Sequence, residues 1–169
     1  MGVPFLHCDD NVKVVYTREE DVFIPLWKRT TIANNNNGKL FISIHANANK
    51  NRRVRGFETY ILRPGKTAEA AAVAERENAV IKMEEEVSLY DNLLKDNFIV
   101  ASLVQNASMK ESEDLASMIQ TELRKSIPSP DRGVKQAGFY VLVGTSMPNI
   151  LVEVGFLSNP QEEKNLRKP

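Results

Sequence analysis

The stretch "LFISIHANANKN", residues 40–51, decides the reading of this chain. A short, mostly apolar run over 40–44 stops at His45, one of two histidines, and Ala-Asn-Ala-Asn follows. Such a run has the pattern of a central strand covered on both faces. The carboxyl end of a central strand is where open α/β sheets present ligands and catalytic groups. An imidazole there can bind zinc through one ring nitrogen while an acceptor holds the other. It can equally be a structural histidine, hydrogen-bonded at a strand end.

The neighbouring segments extend the pattern. "VKVVYT" (12–17) is rich in β-branched residues and predicts a strand. "FIPLWKRTTIANN" (23–35) carries apolar residues near helical spacing, with Pro25 in the first turn, and Gly38 suits the left-handed position that ends a helix. "GFETYIL" (56–62) alternates as a strand should, and "RPGK" is a turn. From 66 to 127 the composition turns to Ala, Glu, Lys, Leu and Met without glycine, which is helix-forming material. "IPSPDRG" predicts a loop, "GFYVLV" (138–143) and "NILVEVGF" (149–156) two more strands, and "SNPQEEKNLRKP" a capped, charged helix. This order predicts an α/β domain with a mixed central sheet flanked by helices.

Composition narrows the function classes. The 169 residues suggest one domain with room for a core. Lys+Arg and Asp+Glu both number 22, which gives no support to nucleic-acid or anionic-membrane binding. The single cysteine, Cys8, excludes an intrachain disulfide framework or a multi-cysteine zinc ribbon. No stretch nears the roughly 18–20 apolar residues of a membrane span, and the start lacks a signal-peptide pattern.

Glu153 is the second anomaly, a carboxylate inside the apolar run "ILVEVGF". A buried carboxylate is costly and normally has a partner or a raised pKa. Beside a metal it could act as general base for water and acid toward a leaving amine; at a sheet face it could also point to solvent or pair with an arginine. Arg18, Asp21 and Arg29 fit structural ion pairing, His7 and Cys8 are incidental candidates, and "EEE" (84–86) fits a solvated helix face. Glycine-rich phosphate loops, GxSxG elbows and HExxH are absent from the sequence.

"VKVVYTREEDVFIPLWKRTTIAN", "GKLFISIHANAN", "RGFETYIL" and "KQAGFYVLVGTSMPNILVEVGFLSNPQEEKNL" follow one another in an order that resembles the zinc-dependent N-acetylmuramoyl-L-alanine amidases, typified by the bacterial cell-division enzymes. The resemblance implies a phosphorylase/hydrolase-like α/β fold. It implies that His45 in "SIHAN" is a zinc ligand and Glu153 in "VEVGF" the catalytic glutamate. The reaction would be hydrolysis of the amide joining N-acetylmuramic acid to L-alanine of peptidoglycan, in the periplasm or outside the cell. Asn47 and Asn159, to which the motif match itself assigns no role, are candidates to shape the cleft. The family's "GHGG"-type turn with a first histidine ligand, and the glutamate ligand on the next helix, have no match in residues 1–11. The resemblance therefore implies an N-terminally incomplete catalytic domain over 1–169, with weak zinc binding and little activity. Residues 66–110 resemble the helical insertion that covers the site in division amidases until an activator protein displaces it, with Glu84, Glu85 or Glu86 as the glutamate able to reach zinc. The competing reading is an inactive amidase-like domain that binds peptidoglycan or a division partner. A metal-free α/β hydrolase would need a nucleophile motif that the sequence lacks.

Overall fold

The strand expected around His45 forms as β1 (Phe41–Asn47), and its hydrogen-bonded neighbour is β4 (Asn149–Phe156) rather than the next strand in sequence. The computed structural model describes residues 11–84 and 108–168. In chain order these form α1 (Leu26–Asn35), β1, β2 (Phe57–Leu62), α2 (Ala68–Asn78) running into a 3-10 turn (Ala79–Met83), α3 (Met109–Ser126), β3 (Asp131–Ala137), a second 3-10 turn (Tyr140–Leu142), β4 and α4 (Pro160–Leu166). The four strands lie in the order β1-β4-β2-β3. The pairs β1/β4 and β2/β3 are parallel and β2/β4 is antiparallel, so the sheet is mixed as expected.

Alternation along each strand builds two layers. Phe41, Tyr60 and Leu151 point to the side covered by α1, α2 and the 3-10 turns, where they join Leu26, Val73, Phe139 and Leu142 in one buried cluster. Ile61, Ile150 and Val152 point the other way, against Leu115 and Ala116 of α3. Tyr60 and Phe139 meet edge to face at 5.0 Å between ring centres, a geometry favoured by the ring quadrupoles.

Four expectations change. β1 is an edge strand of the described sheet rather than a central one covered on both faces, and Ile42 and Ile44 on its outer face are exposed. Residues 12–17 form no strand: the segment is irregular and Val12, Val14, Val15 and Tyr16 are exposed. β-Branched residues alone do not make a strand without a neighbour to complete the ladder. "GFYVLV" is not a strand but a 3-10 turn whose Phe139, Val141 and Leu142 fill the core, and the strand lies before it in "DRGVKQA". This polar segment is the sheet's edge, and its register on β2 shifts between Phe57 and Thr59, opposite Asp131 and Val134. Gly133, at φ 80°, accommodates the bulge. The left-handed residue after α1 is Asn37 (φ 52°), not Gly38.

One carboxylate ties together the loops at the end of the sheet that carries His45. Glu162 of α4, nearly buried, accepts from the amides of Gly56 and Phe156, both at 2.8 Å, and from the Ser129 hydroxyl. Its helix is capped by Asn159, whose side-chain oxygen accepts from the Gln161 and Glu162 amides, with Pro160 in the first turn.

Candidate active site

β1, β4 and β2 set three polar residues abreast across the sheet. His45 pairs with Glu153 across β1/β4, and Glu153 pairs with Glu58 across β4/β2. Directly paired residues share a face, so all three side chains rise on the α1/α2 side. Their surroundings give each a different character.

Glu58 is wholly buried and fully satisfied. Its Oε1 accepts from Asn47 Nδ2 and the Tyr60 hydroxyl, each at 2.7 Å. Its Oε2 accepts from Arg132 Nε at 2.9 Å and Lys135 Nζ at 2.5 Å. Burial alone would raise its pKa, but the bonds from Lys135, Tyr60 and Arg132 outweigh it and hold the carboxyl below its usual range. The bulge at Gly133 brings both Arg132 and Lys135 to the same carboxylate, which explains a polar edge strand.

Glu153 is equally buried and unsatisfied: among the described residues neither carboxylate oxygen finds a hydrogen-bond partner. Burial, with the charges of Glu77 and Glu58 adding to it, pushes its pKa up to about 8.

His45 faces both ways. Its Nε2 lies 3.0 Å from Ser43 Oγ, and its Nδ1 lies 2.8 Å from Oε2 of Glu77. Burial opposes ionisation of Glu77, but His45 and then Arg76 hold its pKa below the usual range. Arg76 also donates to the Ala48 carbonyl at 2.8 Å and to Asn47 Oδ1 at 2.6 Å. Asn47 thus bridges Arg76 and Glu58, and a continuous polar chain runs from His45 through Glu77, Arg76 and Asn47 to Glu58.

The donor atoms of His45, Glu77 and Glu153 lie within 4.8 Å of one another. One imidazole nitrogen and two carboxylate oxygens, that of Glu153 without a hydrogen-bond partner among the described residues, are a set that suits a divalent ion such as zinc. The arrangement can hold a cation and place a buried carboxyl beside it.

His45 and Glu153 therefore come together as the sequence suggested. Asn47 is buried at the site, whereas Asn159 caps α4 and bonds to the Arg52 carbonyl, beside the β1–β2 loop. Arg29 Nε donates to the Ile24 carbonyl. Glu84 does not join the His45 group: it is buried and accepts from the Leu26 amide at 2.9 Å, at the start of α1. Burial of Glu84 also corrects the solvated reading of that position. His7, Cys8, Glu85 and Glu86 lie outside the described residues. The residue that sequence reasoning missed is Glu77. Its signal is its place at helical spacing on the buried stripe Ala70, Val73, Ala74 of α2.

Comparison with known proteins converges on one family. The profile of the N-acetylmuramoyl-L-alanine amidases (Amidase_3) matches residues 6–169. The chain is 35% identical to the N-acetylmuramoyl-L-alanine amidase AmiA of Escherichia coli (strain K12) over 153 residues, covering 89% of this chain and 52% of that protein. It is 36% identical to AmiC of Neisseria meningitidis serogroup B over 154 residues, covering 90% of this chain and 37% of that one. The chain thus spans about half, or less, of the length of these relatives. Among solved structures, the N-acetylmuramoyl-L-alanine amidase from Clostridium difficile 630 superposes with a TM-score of 0.63 at 27% identity, covering 95% of this chain and 63% of the other.

Proposed function

The chain belongs to the N-acetylmuramoyl-L-alanine amidase family, and we propose that it hydrolyses the amide between N-acetylmuramic acid and L-alanine in peptidoglycan, with zinc as its metal. The observation that carries this reading is the convergence of His45, Glu77 and Glu153 within 4.8 Å. His45 and Glu77 would hold the ion. When bound, zinc supplies a Lewis acid that polarises the scissile carbonyl and acidifies water. Glu153 would take the proton from the attacking water at a carboxylate oxygen and return it to the departing L-alanine nitrogen. Asn47 and Arg76 would keep Glu77 and the β1 end in place.

The single catalytic domain would carry residues 66–110 as a helical cover. Glu77, on α2 within that segment, reaches His45. An activator protein that draws away the part of the cover beyond α2 would open the site while Glu77 stays beside His45, and deleting residues 80–105 should raise basal peptidoglycan cleavage; unchanged cleavage would count against the cover. Placement in the cell envelope, periplasmic or extracellular, would follow from that substrate, and a part in daughter-cell separation from the likeness to the division amidases. Among the described residues no helix is long and apolar enough to cross a membrane.

The test pairs zinc titration calorimetry with release of L-alanine from N-acetylmuramoyl-L-alanine. One zinc per chain is expected, with affinity at least about tenfold weaker in His45→Ala. Glu153→Gln should keep zinc and lose release by about 10²-fold or more. Unaltered zinc affinity in His45→Ala, or wild-type release by Glu153→Gln, overturns the assignment.

A further inference from the structure

The chain as a whole is neutral, with 22 basic and 22 acidic residues, yet Lys50, Arg52, Arg53 and Arg55 fall together in the loop joining β1 to β2 with no acid among them. All four are exposed. Among the described residues none of the four forms an ion pair, whereas Arg63, Arg76, Arg124, Arg132 and Lys135 all do.

The loop is built rather than slack. The Asn51 amide donates to Asn49 Oδ1 at 2.9 Å and the Arg53 amide to Asn51 Oδ1 at 3.0 Å. The Asn49 amide donates to Ser158 Oγ at 2.9 Å, Asn159 Nδ2 to the Arg52 carbonyl at 3.0 Å, and Arg52 Nε to the Ser158 carbonyl at 3.2 Å. Gly56, at φ 119°, turns the chain into β2. The cations are therefore displayed on a fixed backbone.

Sheet order fixes where they stand. β4 lies between β1 and β2, so the loop crosses the carboxyl end of β4, on the side of the sheet's end where His45, Glu153 and Glu58 sit. The interior beneath holds carboxylates, Glu58 and Glu77, matched by their own cations, and the rim above it holds cations without an ion-pair partner among the described residues. The interior cations are already committed, Arg132 and Lys135 to Glu58 and Arg76 to Glu77, so a carboxylate-bearing chain is attracted to the uncommitted arginines of the rim, whose planar fork suits carboxylates. Peptidoglycan couples a neutral glycan to a stem peptide with free carboxylates, and only the amide between them must reach the interior.

We propose that Lys50, Arg53 and Arg55, held on the loop 48–56, grip the carboxylates of the stem peptide and so select the peptide side of the substrate. The proposal deepens the amidase reading and rests on it. Phosphates of a wall polymer would offer the same chemistry, but a polymer need not approach this end of the sheet, whereas the stem peptide must.

The test is co-sedimentation of the purified chain with peptidoglycan sacculi across a salt series. Each exposed cation–carboxylate contact is worth a factor of roughly 1.5–5, so the Arg53→Glu, Arg55→Glu double variant should bind about tenfold more weakly or worse, with a shallower salt dependence. Arg53→Gln, Arg55→Gln should fall between, and both variants should keep the wild-type melting temperature because neither side chain has a partner to lose. Wild-type binding should drop similarly on sacculi whose carboxylates have been amidated, and hold on sacculi stripped of phosphate by hydrofluoric acid. Equal pelleting of the wild type and the reversed variant, no pelleting of the wild type at low salt, or loss on phosphate stripping rather than amidation overturns the rim. L-Alanine release is read separately. Release with charge-independent pelleting removes the rim alone; the expected pelleting pattern without release removes the amidase reading alone.

Discussion

Lys135→Met probes the most heavily invested charge in the sheet. Glu58 is wholly buried, and Lys135 Nζ is one of two cations on its Oε2, at 2.5 Å, with Arg132 at 2.9 Å. Breaking a buried ion pair outright costs about 3–5 kcal/mol, and one hydrogen bond to a charged group about 1.5–3 kcal/mol. Arg132, Asn47 and Tyr60 remain on Glu58 in the variant, so the lower range applies, and we expect a loss of about 2 kcal/mol. For a chain of this length that lowers Tm by about 4–8 °C. The measurement is thermal unfolding by circular dichroism at pH 7.5, with Lys125→Met as control. Lys125 pairs with Glu122 where both side chains are about two-thirds exposed, and such pairs contribute little, so its Tm should move by about 1 °C or less. The loss in Lys135→Met should shrink when Glu58 is also changed to Gln, because the stranded charge is then gone. A Tm change in Lys135→Met no larger than in Lys125→Met would refute the claim that Glu58 is a buried charge held by β3.

The same carboxylate sets a pH dependence. The folded pKa of Glu58 is below its ordinary value of 4.5, so its stabilisation is fully present above pH 4.5 and is lost as pH falls through the folded value; denaturant titrations from pH 7 to pH 3 should show wild type losing more stability than Glu58→Gln, and parallel curves would contradict this. Asn159→Ala removes the cap of α4 and the bond to the Arg52 carbonyl, which should cost about 1 kcal/mol and about 2–4 °C in Tm, with Asn159→Asp recovering most of it. Gly56→Ala should fail to give soluble, cooperatively unfolding protein, because at φ 119° an added Cβ collides with the Pro130 carbonyl oxygen; a normal melting curve would count against the backbone described at the start of β2.

Patterns set by burial were legible in the chain. β2 and β4 carry apolar residues that the two layers bury, β1 buries Phe41 while Ile42 and Ile44 on its other face stay exposed at the sheet's edge, and α4 announces itself by Asn159 and Pro160. β3 was hidden because it lies at the edge and its residues answer Glu58 rather than the core; Arg132 and Lys135 read as loop until the carboxylate they neutralise is placed. Residues 138–143 misled for the opposite reason, since Phe139, Val141 and Leu142 are apolar as a core plug, not as a strand. At the site, His45 and Glu153 stood out because each is a polar interruption of an apolar run. Glu77 sits in a helix rich in glutamate, so only its phase with Ala70, Val73 and Ala74 separates it from solvated neighbours such as Glu75. The charge total concealed the loop 50–55, because a neutral sum says nothing of where the signs lie.

The strand order also governs how this protein comes into being. β1 and β2 are close in sequence but do not pair: β1 binds β4, and β2 lies between β3 and β4, which is the last of the four strands to be made. β2 can pair with β3 beforehand, but β1 has no partner strand among the described residues until 149–156 arrive, and such distant pairing is slow. His45 and Glu153 are likewise brought abreast by that single late insertion. The candidate catalytic pair is then assembled only when that last strand is in place, so no form lacking β4 has a working centre.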